Sequence, residues 1–297
     1  MTTTRFAPSP TGRLHLGHAY SAIVAHDAAR AAGGVGGSAG GGAFRLRIDD
    51  IDAGRVRSEF RAAIDGDLAW LGLTIDGPAV VQSGRLRRYQ AALDQLRGAG
   101  LIYPCFCTRA EITAEIAASA SAPHGADGPA YPGTCRGLSA AQVVDRLAAG
   151  KAAAWRLDVA TAMARAGALR WQDALIGGVV AQPQAAGDVV LWRRDGGPAY
   201  HLASTLDDAE MGIELVARGV DLFSATHIHR LLQTLLDLPT PAYHHHPLIA
   251  GADGRRLAKR DDAAALITLR EAGLDGTALA EMLRCGDLPL PYRWAAP

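Results

Sequence analysis

Helical patterns over residues 57–71 and 86–99 are each followed by a glycine-containing turn and a short apolar segment, Leu71-Gly72-Leu73 and Leu101-Ile102-Tyr103. A chain that alternates strand and helix in this way builds a parallel sheet covered by helices. The alternation opens with a short strand after Arg5, a tight Ala7-Pro8-Ser9-Pro10-Thr11-Gly12 loop and an alanine-rich helix to about Ala32. Phe44-Arg45-Leu46-Arg47-Ile48 alternates apolar and charged residues as a strand does. Later, Asp188–Trp192, a helix opening at Tyr200-His201-Leu202-Ala203, and a strand over Ile213–Arg218 resume the pattern.

Between these stretches the pattern breaks. Cys105-Phe106-Cys107, a small-residue and Pro/Gly tract from Ser119 to Pro132, and Cys135 mark residues 101–186 as an inserted unit. At 297 residues, two units, or one unit carrying an insertion, fit the usual domain size better than a single large core. The Gly33–Gly42 stretch, with seven glycines, reads as a surface loop. Within it Gly34-Val35-Gly36-Gly37-Ser38-Ala39 fits the dinucleotide pattern G-x-G-x-x-A, but it follows a helix and precedes a strand, the reverse of what that fingerprint requires.

With hydrophobic residues at 49% and charged residues at 20%, the composition is that of a folded protein, not a disordered tail or coiled coil. No apolar run approaches the roughly 20 residues of a membrane span. The start Met1–Arg5 lacks an export leader, so the expected location is cytoplasmic, with no membrane partner; a monomer is expected. The 30 basic and 30 acidic residues balance, which argues against a protein that coats nucleic acid non-specifically. Only Lys151 and Lys259 are lysine among those basic residues. A lysine kept against that bias points to a need for a compact point charge.

His15-Leu16-Gly17-His18 falls at a loop-to-helix junction, where backbone N–H groups and the helix dipole favour anions. Two histidines three apart, with a glycine that admits a ligand to the backbone, suit nucleotide phosphates. Arg255–Arg260 follows the turn Gly251-Ala252-Asp253-Gly254 and contains Lys259; a mobile lysine can neutralise charge on a transferring phosphoryl group. With Ser9-Pro10-Thr11-Gly12 before it, the histidine motif resembles the first signature (HIGH) of class I aminoacyl-tRNA synthetases. Arg256-Leu257-Ala258-Lys259-Arg260 resembles a degraded second signature (KMSKS). Arg5–Ser9, Arg47–Asp52, and Tyr200–Ala203 with Arg218–Asp221 are similar, in the same order, to the glutamyl branch of that class.

Holding a side-chain carboxylate in a partly dry pocket calls for arginine, and Arg5 and Arg218 are the candidates. The resemblance implies that Ala7 and Ser9 line the same pocket and that Tyr200 hydrogen-bonds the amino acid. It places Asp49, where the family often has Glu, at the substrate ammonium. It assigns His15, Gly17, His18 and Lys259 to ATP, with His15, His18 and Lys259 catalytic. The fold class so implied is α/β, a Rossmann-type parallel-sheet catalytic domain with an inserted zinc-binding subdomain and a short C-terminal helical segment. Residues 1–100 and 187–250 would be its two halves, 101–186 the insertion, and 251–297 the signature loop and a stem-contacting helical segment.

A full glutamyl-tRNA synthetase continues into an anticodon-binding domain after the second signature, whereas little chain follows Lys259. That shortness and the cysteines resemble the truncated paralogues that activate glutamate with ATP and Mg²⁺ without tRNA, then transfer it to queuosine in tRNA(Asp). The alternatives are a minimal synthetase charging a tRNA 3′ end and a non-catalytic regulator that binds glutamate or tRNA. Cys105-x-Cys107 with Cys135 supplies three soft donors for a structural zinc, which wants four. In the family the fourth ligand is a tyrosine, matching Tyr131; donor chemistry alone also allows His124 or Asp127. His244-His245-His246 cannot share one metal if they lie on a strand and read as structural or as lining the nucleotide pocket, His227 and His229 read as polar surface, and Cys285 as a small hydrophobe.

Overall fold

The computed structural model describes residues 2–31, 42–118, 124–125, 128–129, 131–255, 257 and 265–295. Residues 33–41 of the glycine-rich loop, and Lys259 with Arg256, Ala258 and Arg260, lie outside the described residues.

Seven strands form the main sheet in the spatial order Val80–Val81, Phe44–Ile48, Thr4–Phe6, Leu215–Gly219, Ala242–His246, Arg170–Asp173, Gly177–Val180. All neighbours are parallel except the last two, which form a hairpin. This is the α/β fold with a mostly parallel central sheet that the alternation predicts. From Thr4–Phe6 the chain first builds outward on one side, then returns and builds on the other. The order therefore reverses between Thr4–Phe6 and Leu215–Gly219, and ligands of open α/β sheets bind beyond the carboxyl ends of strands at such a reversal.

Strand alternation sends successive side chains to opposite faces. Ala217 packs with Phe44 and Leu46 beneath helices Leu16–Ala31 and Ser58–Trp70. Val216 and Tyr243 pack with Leu202, Ile228 and Leu231 of helices Tyr200–Glu210 and Phe223–Leu235 on the other face. Among the described residues no helix is long and apolar enough to cross a membrane.

A second, antiparallel sheet joins Ile102–Cys105, Ala154–Leu157 and Val190–Trp192 beside an apolar cluster of Cys105, Phe106, Tyr131 and Cys135. Sheet membership departs from the insertion expected over 101–186. The hairpin Arg170–Val180 belongs to the main sheet through Asp173 opposite Tyr243, whereas Val190–Trp192 pairs with the insertion. Alternation reveals which face of a strand is buried but not which sheet it joins. Here Trp171, 5.3 Å from the Tyr243 ring, ties the hairpin to the main sheet.

The C-terminal helix Gly276–Arg284 packs on Leu16–Ala31, capped by Asp275 and joined by an Arg284–Asp27 ion pair at 2.8 Å. Its first residue has to be small, since a Cβ on Gly276 would lie 2.1 Å from the Trp70 carbonyl oxygen. Gly276→Ala is expected to cost about 1–3 kcal/mol of stability. Chemical denaturation checks this, and an unchanged midpoint would refute the close approach.

Candidate active site

Beyond the carboxyl ends of Thr4–Phe6 and Leu215–Gly219 lies a cavity of about 640 Å³. Arg5, Ala7, Ser9, Asp49, Tyr200 and Arg218, the residues expected at the amino acid, all line it. So do His15, Gly17 and His18. Leu257, from the second motif, lines the cavity too and is buried. The Pro8-Ser9-Pro10 loop is pinned because Pro8 and Pro10 carbonyls accept from the Asp49 and Arg57 N–H groups, 3.1 Å each. Proline's fixed φ makes that loop stiff before anything binds.

The helix Leu16–Ala31 starts inside the histidine motif. His18 Nδ1 accepts from the His15 N–H at 3.2 Å, and His15 Nδ1 accepts from the Gly17 N–H at 3.1 Å. The two imidazoles thus satisfy backbone donors that sequence reasoning assigned directly to a phosphate. A neutral imidazole accepting through Nδ1 carries its proton on Nε2 and is a donor there. The rings lie 3.9 Å apart, and a Cβ on Gly17 would come within 3.1 Å of the His15 ring, so the glycine keeps the pair together.

Among the described residues three arginines are buried: Arg5, Arg47 and Arg218. Asp208 binds two of them, accepting from Arg5 Nε at 3.0 Å and Arg47 Nη1 at 2.6 Å. Arg47 also donates to both oxygens of Asp49, at 2.6 and 3.1 Å. Burial pushes the Asp208 carboxyl up, but the Arg5 and Arg47 charges outweigh it and hold it below the usual carboxylate range. Burial dominates at Asp49 and raises it against the pull of Arg47, so a further cation at that carboxylate would favour its ionised form.

Arg218 is different. Its donors go to His245 Nε2 (3.2 Å), Tyr200 Oη (3.1 Å), Thr226 Oγ1 (2.5 Å) and His229 Nδ1 (3.4 Å), all neutral acceptors. Among the described residues no carboxylate pairs with it. The arrangement is a buried cation without a directly bonded counter-charge, at the wall of a cavity.

Sequence reasoning missed Arg47 and Asp208. The only signal for Asp208 was an acidic pair, Asp207-Asp208, beside the apolar Leu202, Ala203 and Leu206 of one helix. His246 lines the cavity and lies 2.5 Å from Ser21 Oγ; it is buried like His245, His244 is half-buried, and all three lie on the strand Ala242–His246, where neighbours face opposite ways. One expectation fails: His229 is 1% exposed within a helix, not polar surface; Cys285, read as a small hydrophobe, is exposed.

Away from the cavity, the sulfurs of Cys105, Cys107 and Cys135 lie within 4.8 Å of one another. The Tyr131 oxygen is 3.5 Å from Cys107 Sγ and accepts from the Cys135 N–H at 2.9 Å. Three converging thiols could hold a metal ion, with the Tyr131 phenol beside them. The His124 side chain and Asp127 lie outside the described residues.

The model of the class I tRNA synthetase (E and Q) catalytic domain matches residues 1–285. Glutamyl-Q tRNA(Asp) synthetase of Rhodobacter capsulatus is 49% identical over 277 residues, covering 91% of this chain and 95% of that protein. Its namesake in Nocardia farcinica is 46% identical over 289 residues, 97% of this chain and 85% of that protein. A glutamate tRNA ligase of Elizabethkingia meningosepticum, solved in complex with its amino acid, matches with TM-score 0.70 and 28% identity over 88% of this chain. The match covers 52% of the ligase, so the chain spans about half its length. An α/β sheet with its cavity at the strand-order reversal, a histidine pair at a helix start and these relatives agree: the chain belongs to the glutamyl-Q tRNA(Asp) synthetases, within the class I (E and Q) tRNA synthetase family.

Proposed function

We propose that the chain activates L-glutamate with ATP, without tRNA, to glutamyl-adenylate and transfers the glutamyl group to queuosine of tRNA(Asp). The observation that carries this reading is the buried Arg218, with no carboxylate bonded to it among the described residues, in the same cavity as the His15–His18 pair. Arg218, with Arg5, receives the glutamate side-chain carboxylate, Asp49 the ammonium, and Tyr200 hydrogen-bonds the amino acid, while Ala7 and Ser9 form the wall. In-line attack of the glutamate α-carboxylate on the α-phosphorus forms the mixed anhydride and expels pyrophosphate. His15 and His18 donate to phosphate oxygens beside Gly17. Lys259, two residues after cavity-lining Leu257, neutralises the developing charge. Mg²⁺ bound with ATP supplies further charge neutralisation. A hydroxyl of the acceptor then attacks the activated carbonyl and releases AMP. Positioning and electrostatics account for this chemistry, one well-placed group contributing about 3 kcal/mol.

The decisive experiment is glutamate-dependent ATP–pyrophosphate exchange without tRNA, followed by transfer to tRNA(Asp) with and without queuosine. Exchange together with queuosine-dependent transfer is the expected result; no exchange under any condition leaves only a glutamate- or tRNA-binding role. Transfer to a tRNA 3′ end instead would make the chain a minimal synthetase.

The insertion is read as the acceptor-type subdomain, with Cys105, Cys107, Tyr131 and Cys135 holding a structural zinc. Purified protein is expected to carry about one zinc per chain, and Cys135→Ser to lose it. Elemental analysis of both proteins decides the matter; equal metal contents, or none in the wild type, would end the zinc reading.

A further inference from the structure

Arg218 stands directly opposite His245 in the register of adjacent parallel strands. His245 Nδ1 lies 2.7 Å from Asp173 Oδ2, and both side chains are fully buried. Asp173 is fixed in turn, its other oxygen accepting from the Leu175 and Ile176 N–H groups at 2.9 and 3.2 Å. A carboxylate whose second oxygen is committed to backbone donors can only accept at Nδ1, so it selects the ring tautomer protonated there. Nε2 is then a lone-pair acceptor, and it faces Arg218 Nε at 3.2 Å and Thr226 Oγ1 at 3.1 Å.

The surroundings enforce this state. The rings of Trp171, Phe223 and Tyr243 lie 5.1–5.8 Å from that of His245, and the Arg218 guanidinium carbon lies 5.3 Å from the Tyr243 ring centre. Burial, and next the Arg218 charge, push the His245 ring down to about 4 against the pull of Asp173, so it is neutral at physiological pH. On the other side His229, buried beside Arg218, is held well below its usual range by burial and by that charge. Among the described residues its Nε2 has no hydrogen-bond partner.

We propose that Asp173 and His245 are positioning residues for Arg218: the carboxylate locks the His245 tautomer, and the imidazole orients the guanidinium while leaving its charge to an anionic substrate side chain. The Asp173 charge sits one ring away from Arg218. It supports the buried cation without occupying the guanidinium, whereas Arg5 and Arg47 are bonded directly by Asp208. A site so built favours an acid over the corresponding amide, because only the acid supplies the missing charge. The inference rests on the proposed glutamate site.

Exchange kinetics of the full chain test it. His245→Ala is expected to raise the glutamate KM by about tenfold or more, with kcat and the ATP KM within about threefold of wild type. His245→Gln, whose amide oxygen can stand at the Nε2 position, is expected to restore the glutamate KM to within about threefold. A folded alanine variant with an unchanged glutamate KM, or a folded glutamine variant that rescues nothing, overturns the proposal. Should His245→Ala not fold, ¹⁵N spectra of histidine-labelled wild type still decide, with the His245 signal assigned by its loss in His245→Gln. A neutral ring protonated at Nδ1 over about pH 6–8 is expected, and an Nε2–H tautomer or an imidazolium overturns it. Absence of glutamate-dependent exchange in the wild type would defeat the synthetase reading alone, leaving the tautomer measurement intact.

Discussion

Arg218→Ala is expected to lower kcat/KM for glutamate in ATP–pyrophosphate exchange by about 10²–10³-fold, while the ATP KM stays close to wild type. The magnitude follows from the setting. Arg218 is 4% exposed, and its partners Tyr200, Thr226, His229 and His245 are neutral. A substrate carboxylate entering the cavity meets a desolvated cation, where a charge-assisted pair gains more than it does in water. Arg218→Lys keeps the charge but not the fork, so it is expected to recover only part of the loss. Both variants should be measured with glutamate and ATP varied separately. A folded Arg218→Ala enzyme with a wild-type glutamate KM would remove Arg218 from the substrate site.

The contrast between Arg218 and Arg5 explains much of what could and could not be read from the sequence. Both arginines were legible as carboxylate ligands, because each stands next to a strand end in a motif similar to the glutamyl synthetases. Nothing local distinguishes them, since the distinction is made by Asp208, some 200 residues from Arg5 in the chain. Arg47 misleads in another way. In Phe44-Arg45-Leu46-Arg47-Ile48 the alternation reads as a strand with one solvated face, yet Arg47 is 1% exposed. A central parallel strand is covered on both faces, so a charged residue in it points to a polar site. His229 was misjudged for a related reason. Thr226, His229 and Gln233 are spaced three and four apart on the buried face of Phe223–Leu235, and periodicity counted from apolar residues passes over a polar stripe turned inward. The α/β class and the cavity-lining motifs were legible because they depend on local pattern. The sheet joined by Arg170–Val180 and the buried charge array depend on contacts between distant segments.

Asp208→Ala is expected to destabilise the fold by about 3–5 kcal/mol, a large part of the roughly 5–15 kcal/mol that holds a typical domain together. In the folded chain, two buried guanidinium groups, Arg5 and Arg47, are balanced by the buried Asp208 and the part-buried Asp49. Removing Asp208 leaves Arg5 with one described acceptor, the Ala217 carbonyl at 3.1 Å, and leaves Arg47 with Asp49 and the weaker Ser204 contacts. An uncompensated cation in a water-poor interior costs far more than a lost surface pair. Asp208→Asn separates charge from volume: its amide oxygen can stand at the Oδ1 position that accepts from Arg5 Nε and Arg47 Nη1, but the negative charge is lost and the N–H₂ at the Oδ2 position opposes Arg5 Nη2, so it should remain below wild type. Urea denaturation of the three proteins measures this, with the slope checked for a common unfolding transition. If both variants unfold within about 0.5 kcal/mol of wild type, the array is a solvated feature and not a buried one. Arg5 orientation depends on the same carboxylate, so the surviving fraction of Asp208→Asn should also bind glutamate more weakly. That links the stability of the sheet centre to the selectivity of the cavity above it.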